Sequence, residues 1–435
     1  MATVRPQMGQ THMVMNWSRT AVAIRVLTLA GWGSSGWKLL IPLAMVSAMV
    51  CSPPDAPAQS AAAPSAATYA QEVQSGLSEI VPLLPTYANR AEEVARRMVA
   101  GGTLWLAGDR GFVLEGLNRA GGLMAAKRLK GPEELKPGDV MLYGLLRAPE
   151  SEEVELLRSA ANAGVLCLAM GPVDSDDWWA DYLPVPAPPA DDPGRLPTVS
   201  PVLAGALWTF TAELVSALTR LGKMPPMYQS VLVPGGRERN TEHLKLTWEP
   251  GTPEPIRPVT LGRTYLASVS NCLRRLRATQ MDNFTQAGQL AAEAIRSGHT
   301  AWYGSLGHLP PELPEQTGDP GVLKPLKVRT PDKLGDLVKP GDVILYVGYY
   351  EPYGPWVEQA HALGAKIVTV VSGTPERAAQ DMGADINISG CWPYGDALVT
   401  VPDYDIKVLP PSGVIQSAAY WMLVAETVRA AEPQD

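Results

Sequence analysis

Short apolar runs alternate with amphipathic stretches along most of the chain, and the alternation passes through the same order twice. Residues 136–144 read KPGDVMLYG and residues 339–347 read KPGDVILYV. Each phrase is a Lys-Pro-Gly turn, an aspartate and an unbroken apolar run. That pattern predicts a turn feeding a strand buried on both faces of a parallel sheet. Amphipathic stretches follow at Val154–Ala163 and Trp356–Leu363, then second apolar runs at Val165–Met170 and Lys366–Val371. Strand, helix and strand with short connections form a βαβ unit. A unit that recurs about two hundred residues later predicts a tandem duplication of one α/β domain.

The flanking patterns fill in each copy. In the first, helices are expected over Tyr69–Leu84 and Ala88–Ala100, the latter stopped by Gly101-Gly102. A strand over Thr103–Ala107 follows, then strands at Val140–Tyr143 and Val165–Met170 and a long apolar helix over Pro201–Leu221. In the second copy the helices are Thr264–Thr279 and Phe284–Ser297. Its strands are Thr300–Tyr303, Val343–Val347, Ile367–Val371 and Ile386–Ile388, and its long apolar helix is Ser412–Val428. Ser372-Gly373-Thr374-Pro375-Glu376 reads as another helix start, with Thr374 as N-cap and Pro375 at the first helical position. Gly222–Arg263 is rich in Pro and Gly, has room for one strand or hairpin, and reads as a connector. Trp208 matches Trp421, and Glu213 matches Glu426, in the two long helices. A glutamate so placed could be catalytic, but capping, pairing or facing the domain interface is the expectation.

Composition narrows the function. The chain has 435 residues and a formal net charge of −8, which argues against an electrostatic nucleic-acid partner. Four cysteines and five histidines show neither CxxC nor HExxH spacing, so neither a metal nor a cofactor is expected. Cys167, in an apolar strand, reads as an inert core residue. Phe is scarce beside Trp and Tyr, so the aromatic side chains mostly carry polar handles. Near the N-terminus, Arg19, Arg25 and Lys38 precede the apolar run Leu39–Cys51, which is shorter than the roughly twenty residues of a bilayer span. Ala56-Pro57-Ala58 then offers a cleavage site. The expectation is an export signal and a periplasmic or extracellular protein, with a membrane anchor as the alternative. The resulting organisation is leader 1–58, Ala/Pro linker 59–68, first domain 69–222, connector 223–263 and second domain 264–432.

The ordered motifs resemble the sugar isomerase (SIS) domain family, in tandem. They are Pro340-Gly341-Asp342, His361-Ala362-Leu363-Gly364-Ala365-Lys366, Ser372-Gly373-Thr374, Gly383-Ala384-Asp385 and Ser417-Ala418-Ala419. The first copy matches at Pro137-Gly138-Asp139 and at Ala160-Ala161-Asn162-Ala163-Gly164. The resemblance implies two doubly wound, flavodoxin-like parallel sheets of five strands. As a pseudo-dimer these would make a monomer or a homodimer. It also implies phosphosugar chemistry, as isomerase, deaminating synthase or ligand-sensing regulator.

The loops qualify that implication. Family members carry a Ser/Thr-rich phosphate loop after the PGD strand. Here the first copy has Gly144 to Glu153, with Arg147 and three carboxylates in the first turn, which oppose a phosphate. The second has Gly348, Tyr349, Tyr350 and Glu351. Candidate ligand residues are Gly108, Asp109, Arg110 and Arg147 in the first copy. In the second they are Gly304, Ser305, Gly307, Gly348, Tyr349, Tyr350, Ser372, Gly373 and Thr374. His308, Glu312, Glu351 and Asp109 are the candidate acid–base groups. Trp302, Tyr303, Tyr349, Tyr350, Tyr353, Trp356, Trp392 and Tyr394 gather near expected strand ends of the second copy. They suit either a neutral sugar ring or the interface between the copies. The leading expectation is binding of a small sugar or sugar derivative without turnover. A sugar-phosphate aldose–ketose isomerase and a non-catalytic structural protein are the alternatives.

Overall fold

The computed structural model describes residues 64–432 apart from 174–179, 329, 350–352, 375–377 and 379–382. The expected leader, Tyr350, Glu351 and the helix expected after Thr374 lie outside the described residues. The first half opens with helices α1 (Ala66–Glu79) and α2 (Leu84–Val99), separated by a short turn at Val81–Leu83. Pro82 and Pro85 divide what the periodicity merges into a longer first helix. Strand β1 (Leu104–Gly108), helix α3 (Arg110–Gly116) and strands β2 (Lys127–Arg128) and β3 (Val140–Gly144) follow. Then come α4 (Ser151–Asn162), β4 (Leu166–Gly171), β5 (Asp181–Pro184) and the long α5 (Val199–Arg220). The connector forms helix α6 (Gly236–His243) rather than the expected strand or hairpin. The Asn240 side chain holds this helix by pairing with both the N–H and the C=O of Gln229.

The second half repeats the order with α7 (Thr260–Thr279), α8 (Met281–Arg296), β6 (Ala301–Ser305), β7 (Lys324–Pro325) and β8 (Val343–Val347). It continues with α9 (Tyr353–Ala362), β9 (Lys366–Val371), β10 (Ile386–Ser389), a small antiparallel pair β11 (Val399–Thr400) and β12 (Lys407–Val408), and α10 (Ser412–Ala431). Each half builds one five-stranded sheet with every pairing parallel, in the orders β2-β1-β3-β4-β5 and β7-β6-β8-β9-β10. This is the flanked parallel architecture that the SIS resemblance implies, present twice.

The duplicated phrase has a structural job. Gly138 and Gly341 adopt φ of +92° and +87°, which glycine reaches without strain. That turn brings Asp139 under the start of β1, where it accepts from the N–H of Thr103 (2.8 Å), the indole of Trp105 (2.9 Å) and the N–H of Lys136 (3.0 Å). Asp342 accepts from Thr300, Trp302 and Lys339, each at 2.9 Å. These three bonds hold the Asp342 carboxyl below its usual range although burial pushes it up. The phrase therefore ties neighbouring strands at their amino ends. Trp302 belongs to this tie, not to a ligand site.

The main core lies between the two sheets, where α1, α2 and α5 meet α7, α8 and α10. Helix α5 is long and apolar enough to cross a membrane, yet protein encloses it throughout. The outer faces have smaller cores under α4 and α9, with Cys167 in the first, its thiol pushed up to about 11 by burial. The two matching glutamates cross between the halves. Glu213 on α5 accepts from the N–H groups of Val259 (2.7 Å) and Gly262 (3.0 Å) at the start of α7. Glu426 on α10 accepts from the N–H of Ala66 (2.7 Å) at the start of α1. Each long helix thus caps the first helix of the other half, which satisfies buried N–H groups that have no intrahelical partner.

Candidate functional site

In sheets of this order, the first and third strands diverge to their connections on opposite sides, leaving a crevice beyond their carboxyl ends. In the first half that crevice is open. Gly108 (φ +90°) lets β1 turn sharply, and a Cβ there would sit 2.2 Å from the carbonyl of Gly144. Only glycine permits this approach of the two loops. Asp109 caps α3 through the N–H of Phe112 (2.9 Å), and burial, with Glu312 nearby, raises its carboxyl above the usual range. Arg110 pairs with Glu312 of the second half at 3.1 Å. Together with Gly144–Arg147, Glu153, Ala190 and the second-half segment Pro314–Thr317, these residues enclose a cavity of about 440 Å³. Ser200 donates to Gln316 Oε1 (2.8 Å), and Asp319 accepts from the N–H of Glu315 (2.8 Å) and the hydroxyl of Tyr420 (3.0 Å). These bonds fix the second-half wall. Among the described residues the lining is polar and carries no aromatic side chain.

The start of α4 borders this cavity, and its own residues satisfy it. Glu150 and Glu153 form a capping box, in which Glu153 accepts from the N–H of Glu150 at 2.8 Å. Glu153 also accepts from Arg147 Nη1 (2.9 Å) and from the Tyr143 hydroxyl (3.1 Å). Arg147 is held further by Glu150 at 2.7 Å, and its pKa is raised chiefly by the bond to Glu153. The Glu153 carboxylate thus takes up the guanidinium, hydroxyl and backbone donors that an incoming phosphate would need.

The equivalent crevice of the second half is filled. Glu115 and Glu312 lie the same distance past the ends of β1 and β6, but Glu115 points into a buried cluster. Arg119, only 1% exposed, lies 3.3 Å from Glu115 and 3.5 Å from Asp396, and donates to Ser412. The Tyr349 hydroxyl is 3.0 Å from both Asp396 and Ser412, and Trp208 donates to Glu115 (2.9 Å). Burial raises the Glu115 carboxyl even beside Arg119. Burial opposes the Arg119 charge, but Glu115, Tyr349 and Asp396 outweigh it and raise its pKa. A side chain of the first half therefore occupies the place expected for a ligand of the second.

The expected site residues consequently separate. Asp109, Arg110, Arg147 and Glu312 line one cavity, with Gly108 shaping it. Tyr349 is a member of the buried cluster, which corrects the expectation that it faces a ligand. Gly304 packs on the ring of Tyr346, Ser305 bonds Tyr303, Gly307 lies against buried Gln416, and Gly348 and Ser372 are buried. Gly373 and Thr374 are half-buried and, like those five, fall outside the lining of the open cavity. His308 donates from Nδ1 to the carbonyl of Leu114 (3.2 Å). Burial, reinforced by Arg119, lowers its pKa to about 3, so it stays neutral and faces α3 rather than the cavity. Among the described aromatic residues, Tyr303 packs edge-on against Tyr420, Trp356 packs near Tyr346, and Tyr394 donates to Leu232. Sequence reasoning missed Glu115, Arg119, Asp396 and Gln316. The Glu115–Arg119 spacing of one helical turn amid apolar residues was the one available signal.

No family model matches the chain, and no curated protein matches it in sequence. Among solved structures it is similar to the C-terminal domain of glucosamine-fructose-6-phosphate aminotransferase from Francisella tularensis (TM-score 0.45, 9% identity, covering 84% of this chain and 96% of that one). It is also similar to tagatose-6-phosphate ketose/aldose isomerase from Escherichia coli (TM-score 0.42, 11% identity, 84% and 91%). A third is glucosamine-6-phosphate deaminase from Thermotoga maritima (TM-score 0.40, 10% identity, 83% and 92%).

Proposed function

We propose that the chain is an exported protein that binds a sugar or sugar derivative, without turnover, in the crevice beyond β1 and β3. The observation that carries this reading is the open cavity of about 440 Å³ closed by both halves, whose volume suits a small polar ligand. Its carboxylates at Asp109, Glu312 and Glu315 suit the hydroxyl and amino donors of a sugar. The α4 terminus, already engaged by Glu153, offers no phosphate seat. Two of the acid–base candidates support the reading without turnover: His308 is neutral and turned away, and Glu312 is paired with Arg110. A thermal-shift panel of hexoses, amino sugars and their acidic derivatives on the full chain tests the reading. Ligand at a hundred times its Kd stabilises by about 2.7 kcal/mol. Glu312→Gln should weaken the shift, whereas no shift across the panel would overturn the proposal.

A further inference from the structure

A second cavity, of about 250 Å³, adjoins the first and has the opposite electrostatic character. Arg110 lines both, and Tyr143 lines the second while bonding to Glu153 in the first. Among the described residues the charged groups in its lining are Arg110, Arg128 and Lys130, and no carboxylate joins them. Arg128 sits at the end of edge strand β2, and the chain leaves it through Leu129, whose N–H bonds the carbonyl of Leu106 (3.0 Å). The loop is held by its own acidic residues, since Glu134 accepts from the Lys130 N–H (2.7 Å) and Glu133 lies against Gly131. The Glu134 carboxylate is thereby spent on the backbone at the rim. Arg128 and Lys130 have no ion-pair partner among the described residues.

We infer that this cavity is a subsite for an anionic substituent, so that the ligand is an acidic sugar derivative. The inference rests on the sugar-binding reading and narrows its substrate class. The ring's hydroxyls lie against the carboxylates of the first cavity, and the acidic group reaches past Arg110 to Arg128 and Lys130. Charge-assisted bonds to guanidinium and ammonium are stronger than neutral ones. The first cavity alone would repel an anion. The two together select a molecule that is uncharged at one end and negative at the other.

Calorimetric titration of the full chain with hexoses, the matching hexuronates and the hexose 6-phosphates tests this. The acidic sugar should bind about tenfold more tightly than its neutral parent. The gain should shrink as salt rises. In Arg128→Gln and Lys130→Gln chains the preference should vanish, with neutral-sugar affinity unchanged. The hexuronate and phosphate arms show which acid the subsite takes. An acidic sugar that binds no better than its parent, or a preference that survives both substitutions, overturns the subsite while leaving the sugar reading intact. Absence of binding by every member overturns both.

Discussion

Replacing Arg119 by Met is the most direct trial of how the halves are joined. The side chain is 1% exposed and stands between Glu115, at 3.3 Å, and Asp396, at 3.5 Å. Methionine nearly fills the space but leaves two buried carboxylates without their cation. Removing one partner from a buried ion pair costs about 3–5 kcal/mol. That is a large share of the roughly 5–15 kcal/mol that stabilises a typical protein. Glu115 is already raised by burial, and losing Arg119 raises it further. A carboxyl whose folded pKa exceeds its unfolded one favours the folded state at low pH and loses that contribution as pH rises. Urea unfolding should therefore show a deficit of about 3–5 kcal/mol at pH 7 that narrows at pH 5. The triple variant Arg119→Met, Glu115→Gln, Asp396→Asn should recover most of the loss. A single variant within about 1 kcal/mol of the parent, or a triple variant no better than the single, would refute the account.

Other consequences can be checked on the same chain. Glu213→Gln keeps a single good acceptor for two N–H groups and should cost about 1–2 kcal/mol in urea unfolding, with Glu426→Gln similar. His308, lowered from 6.5 to about 3, contributes stability that is present above its unfolded pKa and lost as pH falls. Between pH 6 and 4.5 that loss approaches about 1.4 kcal/mol per unit, and His308→Gln should flatten the slope. Asp342→Asn should cost about 2–3 kcal/mol and alter the fluorescence of Trp302, whose indole it binds.

The strands and long helices were legible because buried parallel strands and enclosed helices leave unbroken apolar runs. The phrase at Asp139 and Asp342 showed the duplication, though its purpose, three bonds at the amino ends of the strands, needed coordinates. Matching Glu213 with Glu426 identified a structural pair, but not that each serves the opposite half. The site was only partly legible. Asp109, Arg110, Arg147 and Glu312 were named, yet weight fell on the second half, where hydroxyls and aromatics cluster. Occupancy of a crevice depends on side chains delivered from elsewhere in the fold. Arg119 arrives from a distant segment, and no local pattern around Tyr349 or Ser412 announces it. Helix α6 was obscured because its stability comes from Asn240 and Arg239 contacts rather than from an apolar face.

The exchange of caps between α5 and α10 bears on how such a chain tolerates change. If Glu213 and Glu426 capped within their own halves, a segment such as 260–432 could be excised and still begin its first helix properly. As built, it would expose the N–H of Gly262 beneath a missing lid, and the remainder would lose the lid over Ala66. The duplicated halves are thereby bound to a common fate. Removing either half leaves buried N–H groups at the first helix of the other without an acceptor.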